Sequence, residues 1–418
     1  MTQPPRIHLF QGYGIELEYM LVDRDTLKIR PITDELLKHE LGHYASDFEN
    51  GIITWSNELV LHVVELKSTK PEHDLRGLVN QFAENVSRIN SILSPWNAML
   101  MPSAAHPFMD PTLETKIWPH ENNEVYNIYN KIFDCRGHGW SNLQSTHLNL
   151  PFYDDEEFAK LHAAVRLVLP ILPALCASSP ILDGKLTGSL DTRLKYYKTN
   201  QSKIPSITGK VIPEAVFSKR NYLNTIYEKI KSDIAPFDPG EELNAIWVNS
   251  RGAIPRFDRG SIEIRIMDIQ ECPAADIAVL TLVIETIKAL SGSLFIDLES
   301  QMKWKTEALA QLLDQTIDKA QSTVIDNGEY LALFDFPGKK ALASELWKHI
   351  LQRLLKTGNS DLEKASKELS IVLKEGTLAH RIVQAVHTDH TAENIVRVYR
   401  RLCDCLAQNK MFVNESSQ

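Results

Sequence analysis

Ionisable side chains sit inside β-patterned apolar runs, and this constrains the fold of these 418 residues more than any other feature. Successive side chains of a strand point to opposite faces. In residues 15–22, Ile15, Leu17 and Tyr19 therefore share one face, and Glu16 and Glu18 share the other. Residues 59–66, 144–150, 244–248 and 261–267 also read as strands that present polar groups. Carboxylates are not buried without partners, so such a chain calls for a sheet with one dry face and one polar face. A helical stripe of Leu75, Leu78, Val79, Phe82, Val86, Ile89 and Leu93, and a second helix over 158–169 ending before Pro170, supply the dry cover.

Beyond residue 268 nearly everything reads as helix, at 274–290, 305–320, 339–356, 361–374 and 392–408. The expected class is α+β with an α-rich end. Its expected organisation is an α+β domain over 1–295 and a helical region over 296–418 packed on it. Residues 184–214 show no strong period and read as a loop bordering the site, and 414–418 as a frayed tail. Lys plus Arg number 45 against 54 Asp plus Glu, and the net charge of -9 excludes a basic nucleic-acid footprint. No run of about eighteen apolar residues suggests a membrane span. The first ten residues lack signal-peptide order, so a cytoplasmic protein is expected. Five scattered cysteines imply no disulfide framework, and the one-residue gap between Cys403 and Cys405 does not fit a zinc knuckle.

Four constellations carry chemistry. Glu16 and Glu18 on one strand face repel unless a cation lies between them, and hard Mg²⁺ or Mn²⁺ takes such oxygen ligands. A solvated strand face also explains an E-x-E pair. Glu58 and Glu65 lie in a second apolar run, but their seven-residue gap sends them to opposite faces of a regular strand. For both to face one site, Glu58 must lie in the preceding turn or a bulge must intervene. His147 and Asn149 share a face of 144–150, the imidazole as a metal ligand or structural residue, the amide as a hydrogen-bonding group for substrate. Glu263 and Arg265 share a face of 261–267, preceded by Arg251, Arg256 and Arg259. An acid beside an arginine suits phosphate chemistry, and equally an ordinary ion pair.

A competing signal is His39, Glu40 and His43 in HELGH, the spacing that sets two zinc ligands one helical turn apart with a general base between them. The alternative function is therefore a zinc metallopeptidase. Gly42 inside the required helix weakens it by about 1 kcal/mol. No P-loop, G-x-G-x-x-G or G-x-S-x-G is present, so any ATP is held by other means.

In chain order come Gly14-Ile-Glu-Leu-Glu18, then Glu58, Val64-Glu65-Leu66 and Thr69, then Gln144 and His147. Ala177-Ser-Ser-Pro180, Asp183-Gly184, Thr187-Gly188 and Arg193 follow, and Gly260-Ser-Ile-Glu-Ile-Arg265 with Asp268 completes the series. Together they resemble the family-2 glutamate–cysteine ligases and their carboxylate–amine ligase relatives in the glutamine synthetase-like superfamily. The resemblance implies a curved antiparallel sheet around an active-site funnel, with helices outside, ATP at one end and amino-acid substrates at the other. It implies one Mg²⁺ or Mn²⁺ site around Glu16, His147 and Glu263, and another around Glu18, Glu58 and Glu65. Arg265 resembles the cation on the γ-phosphate, making Glu263 and Arg265 the catalytic pair. Arg256 is expected near the nucleotide, and Arg193 or Arg256 on a substrate carboxylate. The implied activity is ATP-dependent joining of a carboxylate, expected to be glutamate, to an amine such as cysteine through an acyl phosphate. The expected partners are small amino-acid substrates, without nucleic acid or membrane, and a homodimer is compatible with the sequence.

Overall fold

The computed structural model describes residues 6–414, so the tail expected at 414–418 lies, from 415 on, outside the described residues. The strands are β1 (Gly14–Asp23), β2 (Asp47–Asn50), β3 (Ile53–Asn57), β4 (Val63–Ser68), β5 (Ala98–Met101), β6 (Ser145–Pro151), a short β7–β8 hairpin (Ile181–Leu182 and Lys185–Leu186), β9 (Ala253–Arg256), β10 (Ser261–Asp268) and a short pair, β11 (Val324–Ile325) and β12 (Ala341–Leu342). Eight of them form one sheet in the order β2-β3-β4-β1-β6-β10-β9, with β5 also paired to β1. Every pairing in it is antiparallel, and helices dominate the rest of the chain, giving the expected α+β class.

Alternation along β1 builds both faces of the sheet. Ile15, Leu17, Tyr19 and Leu21 are fully buried against Leu78, Phe82, Val86 and Ile89 of the helix Leu75–Leu93. Asp74 caps that helix by accepting from the Arg76 backbone N–H. Burying each such side chain is worth about 1.5–3 kcal/mol. The helices Asp155–Val168 and Pro273–Ser291 pack on each other over the same face. Farther out, Leu309, Leu313, Trp347 and Ile350 belong to the same buried cluster as Ile15.

The other face of β1 begins with Glu16 and Glu18 and continues with Met20 and Val22. These two pack with Met101, Ile382, Val398 and Leu402, so the helices Leu378–Val386 and Ala392–Gln408 cover the polar face where its charges end. The C-terminal segment is fastened by a buried ion pair. Arg381 Nη1 and Nη2 lie 2.5 and 3.3 Å from the two oxygens of Glu271, which also accepts from the Phe412 backbone N–H at 3.1 Å.

Several sequence expectations are corrected. Residues 244–248 do not form a strand but the short helix Ala245–Val248, because Asn244 caps it through the Ile246 N–H. In 59–66 only Val63 onward is strand. Residues 361–374 split into Ser360–Lys364 and Ser366–Glu375, and 184–214 contains the helix Thr192–Tyr197, capped by Asp191. Strands β2, β3, β5, β7, β8, β9, β11 and β12 are absent from the sequence reading. Among the described residues, no helix is long and apolar enough to cross a membrane.

Replacing Arg381 with Met leaves the Glu271 carboxylate buried and unpaired, and should cost about 3–5 kcal/mol in urea unfolding. The further change Glu271→Gln should recover part of that loss.

Candidate active site

Strand pairing converts scattered acids into one site. Glu16 lies opposite His147 and Glu18 opposite Glu65, while Glu263 lies opposite Asn149. Residues directly opposite in an antiparallel pair share a face. The β6–β10 register shifts between Ile264 and Met267, so Arg265 and Ile266 together oppose His147. This bulge puts Asp268, opposite Ser145, on the same face as Glu263 despite the odd interval between them. Glu58 lies just past the end of β3, in the segment before β4, which resolves its seven-residue separation from Glu65.

His147 stands at the centre. Its Nδ1 is 2.8 Å from Glu16 Oε2, and its Nε2 is 3.0 Å from Ser145 Oγ and 3.7 Å from Glu18 Oε1. Glu16 also accepts from Asn149 Nδ2 at 3.0 Å. Glu18 accepts from the Ser145 backbone N–H at 2.6 Å and from its hydroxyl at 2.9 Å. Glu65 accepts from Ser56 Oγ at 2.7 Å and pairs with Lys67 Nζ at 3.0 Å. Glu263 is flanked by Arg265 Nε at 3.0 Å and Arg256 Nη1 at 3.5 Å. Arg193 is buried, with Nε on Asp268, whose other oxygen accepts from the Ser178 N–H and the Ser179 hydroxyl.

The electrostatics show uncompensated negative charge. Burial, then repulsion by Glu263, raises the pKa of Glu16, while burial outweighs the neighbouring groups at Glu18. Burial with repulsion from Glu16 raises Glu65, and burial with repulsion from Glu18 and Glu65 pushes Glu58 well above the usual carboxylate range. Glu263 is the exception, because Arg265, His147 and Arg256 overcome the burial cost and lower it. Burial lowers His147, favouring the neutral imidazole that ligates metals.

Two sets of ligand atoms lie within 4.8 Å of one another: Glu16, His147 and Glu263, and Glu18, Glu65 and His147. The first is the set that the resemblance implied. The second contains His147 in place of Glu58, which lies beside it and lines the same cavity as Glu18. Carboxylate oxygens around a neutral imidazole, with their charges unbalanced, fit a hard divalent cation.

The HELGH segment is built differently. Its helix, Thr33–Leu41, stops before Gly42, whose φ of 78° is left-handed, so His43 lies beyond the helix end. His43 Nδ1 contacts the Leu41 carbonyl, and Glu40 is paired with Arg88. Neither histidine belongs to a metal-competent group among the described residues. The peptidase reading has no support.

Residues that the sequence reading missed complete the site. Ser56 and Ser145 hold carboxylates, and Lys67 screens Glu65. Tyr126, Tyr129, Trp140, Tyr197 and Trp247 line the cavity that contains Glu18, Glu58, Arg193 and Arg265. Alternation of Ile53 and Trp55 with Thr54 and Ser56 was the available signal for β3. The aromatic residues had none, being dispersed over helices and turns. His62 is a buried histidine with Nε2 on the Ser141 carbonyl at 2.7 Å.

The sheet thus gathers carboxylates, one imidazole and three arginines on a single charged face. The chain belongs to glutamate–cysteine ligase family 2 (GCS2), whose family model matches residues 13–401. An uncharacterized protein of Archaeoglobus fulgidus is 30% identical over 403 residues, covering 96% of this chain and all of that one. A protein of Sorangium cellulosum named "Putative glutamate–cysteine ligase 2" is 25% identical over 375 residues, covering 88% of this chain and 89% of that one. The glutamate–cysteine ligase of Francisella tularensis, solved in complex with AMP, superposes with a TM-score of 0.56 at 12% identity over 94% of this chain and 88% of that one. A bifunctional glutathione synthetase from Pasteurella multocida gives 0.58 at 15% identity, matching 96% of this chain and 53% of that one, so the chain spans about half its length. These likenesses show the fold expected from the resemblance, and family and fold together support a carboxylate–amine ligase.

Glu16, Glu18, Glu58 and Glu65 bind protons more tightly in the folded protein than in the unfolded one. Their contribution to stability is therefore present at low pH and is lost as pH rises from the ordinary 4.5 through their raised values. Thermal melts of metal-free protein should fall as pH rises above the ordinary 4.5, less steeply in Glu16→Gln/Glu18→Gln. Magnesium at a hundredfold excess over its Kd should restore about 2.7 kcal/mol at the higher pH and much less at the lower.

Proposed function

We propose that this protein is an ATP-dependent carboxylate–amine ligase that joins glutamate to an amine, with cysteine among the candidates, through an acyl phosphate. The observation that carries the reading is the pair of metal-competent groups sharing His147 with Arg265 on the same face. Glu16, His147 and Glu263 would hold one magnesium or manganese ion, and Glu18 and Glu65, with Glu58 beside them, another, the single lone pair of the neutral imidazole serving one ion at a time. Bound there, such ions would supply the positive charge that lets phosphate and carboxylate oxygens approach.

The remaining tasks fall to the chain itself. Arg265, whose charged form is favoured by Glu263 against the cost of burial, offers a guanidinium to the phosphoryl oxygens as charge builds on them. Arg256, on the other side of Glu263, holds the polyphosphate at the same end. Arg193 faces the cavity with Nη2 unpartnered among the described residues, a donor suited to a substrate carboxylate. Asn149 steers Glu16 rather than substrate in the geometry observed. A carboxylate oxygen of the bound acid forms a bond to the γ-phosphorus as the bond to ADP breaks. The amine nitrogen then attacks the acyl carbon, phosphate departs, and the ammonium proton passes to solvent or a site carboxylate.

The test is phosphate release from ATP with magnesium, glutamate and a panel of amines including cysteine, with the amide identified by mass. Glu16→Ala should abolish amine-dependent release. Arg265→Met should lower kcat by about 10²–10³-fold while leaving nucleotide binding measurable. Glu40→Ala should be near wild type, and loss confined to that variant would contradict the proposal.

A further inference from the structure

We propose that the amine joined here carries a bulky aromatic or apolar group, seated among Tyr126, Tyr129, Trp140 and Trp247, rather than the small thiol side chain of cysteine. The inference rests on the ligase reading and specifies its substrate class. A cavity of about 290 Å³ opens at the Glu18 end of the sheet, and these four residues line it together with Glu58 and Arg193. Glu18, His147 and Arg265 also line it, whereas Glu16, Asn149, Arg256 and Glu263 do not, so its aromatic wall adjoins the reacting groups at one end of the charged face.

Its walls are preformed. Tyr129 meets Trp140 edge-on with ring centroids 5.5 Å apart, and Phe133 stacks on Trp140 from behind at 5.5 Å. Trp140 Nε1 donates to the Asn200 carbonyl at 3.2 Å, and the Tyr126 hydroxyl accepts from Asn57 Nδ2 at 3.2 Å. Rings fixed in this way meet a flat or bulky apolar guest without first being ordered. Trp247 is 56% exposed although Val248 beside it is fully buried, which leaves a large indole in water at the cavity. A guest with an apolar body would cover that surface, whereas a cysteine side chain would leave most of it wet.

The cavity lining also carries a buried donor without a hydrogen-bond partner among the described residues. Arg193 is 1% exposed, and its Nη2 has no hydrogen bond among the described residues. Such a donor is costly to leave unmade and marks where an anionic oxygen of the reacting molecules binds. An apolar wall facing a buried guanidinium describes a site for an organic substrate with two unlike ends.

The experiment measures phosphate release with ATP, magnesium and glutamate, using phenylalanine, phenethylamine, alanine and cysteine as amines. Phenylalanine is also titrated calorimetrically into the protein with ATP and magnesium. The aromatic amines should exceed cysteine in kcat/KM by about tenfold or more. Trp247→Ala should raise their KM by about tenfold without changing the KM for ATP, and Trp247→Phe should restore it. Preference for cysteine would overturn the proposal, as would a Trp247→Ala effect on ATP alone, which would assign the rings to adenine. If no amine elicits phosphate, the ligase reading fails alone where phenylalanine binds and Trp247→Ala weakens it, and both fail where it does not.

Discussion

Repulsion among carboxylates on one sheet face is the constraint around which the rest of this structure is arranged. Glu16, Glu18, Glu58 and Glu65 all bind protons more tightly than free glutamate, because burial and their neighbours disfavour the charged form. The fold offsets this only partly. Ser145 and Ser56 donate to Glu18 and Glu65, Lys67 sits beside Glu65, and Arg265 and Arg256 hold Glu263 ionised. A protein that maximised stability alone would not place these groups together, and such local conflict marks function.

Everything else keeps that face in place. Helices Leu75–Leu93, Asp155–Val168 and Pro273–Ser291 take the apolar side of the sheet, leaving the strands free to carry charge on the other. Helices Leu378–Val386 and Ala392–Gln408 cover Met20 and Val22, just where β1 turns apolar on its polar side. The Arg193–Asp268 pair fixes the helix Thr192–Tyr197 against β10, so one end of the cavity is held by a buried ionic contact. Such contacts resist loss of a single partner and so keep the groups around them in position.

The period-two pattern made β1, β6 and β10 legible, and with them Glu16, Glu18, His147 and Glu263. Their convergence was not legible from alternation, since it requires the strand order, and came instead from the resemblance. The bulge opposite His147 was hidden because an extra residue shows only in the pairing of two strands. Glu58 could be placed only conditionally for the same reason. Residues 244–248 misled because Ile246, Trp247 and Val248 carry strand-forming side chains, yet the Asn244 cap and the short length favour one helical turn. The HELGH match lost to the left-handed glycine that ends its helix.

The central claim is that this acidic face is made to bind divalent cations around His147. Manganese binding to the protein with ATP, counted by electron paramagnetic resonance, tests it most directly. Two ions per chain are expected in the wild type and fewer in His147→Ala, because the imidazole belongs to both ligand groups while its one lone pair serves a single ion. Absence of bound manganese, or an unchanged count in the variant, would contradict it.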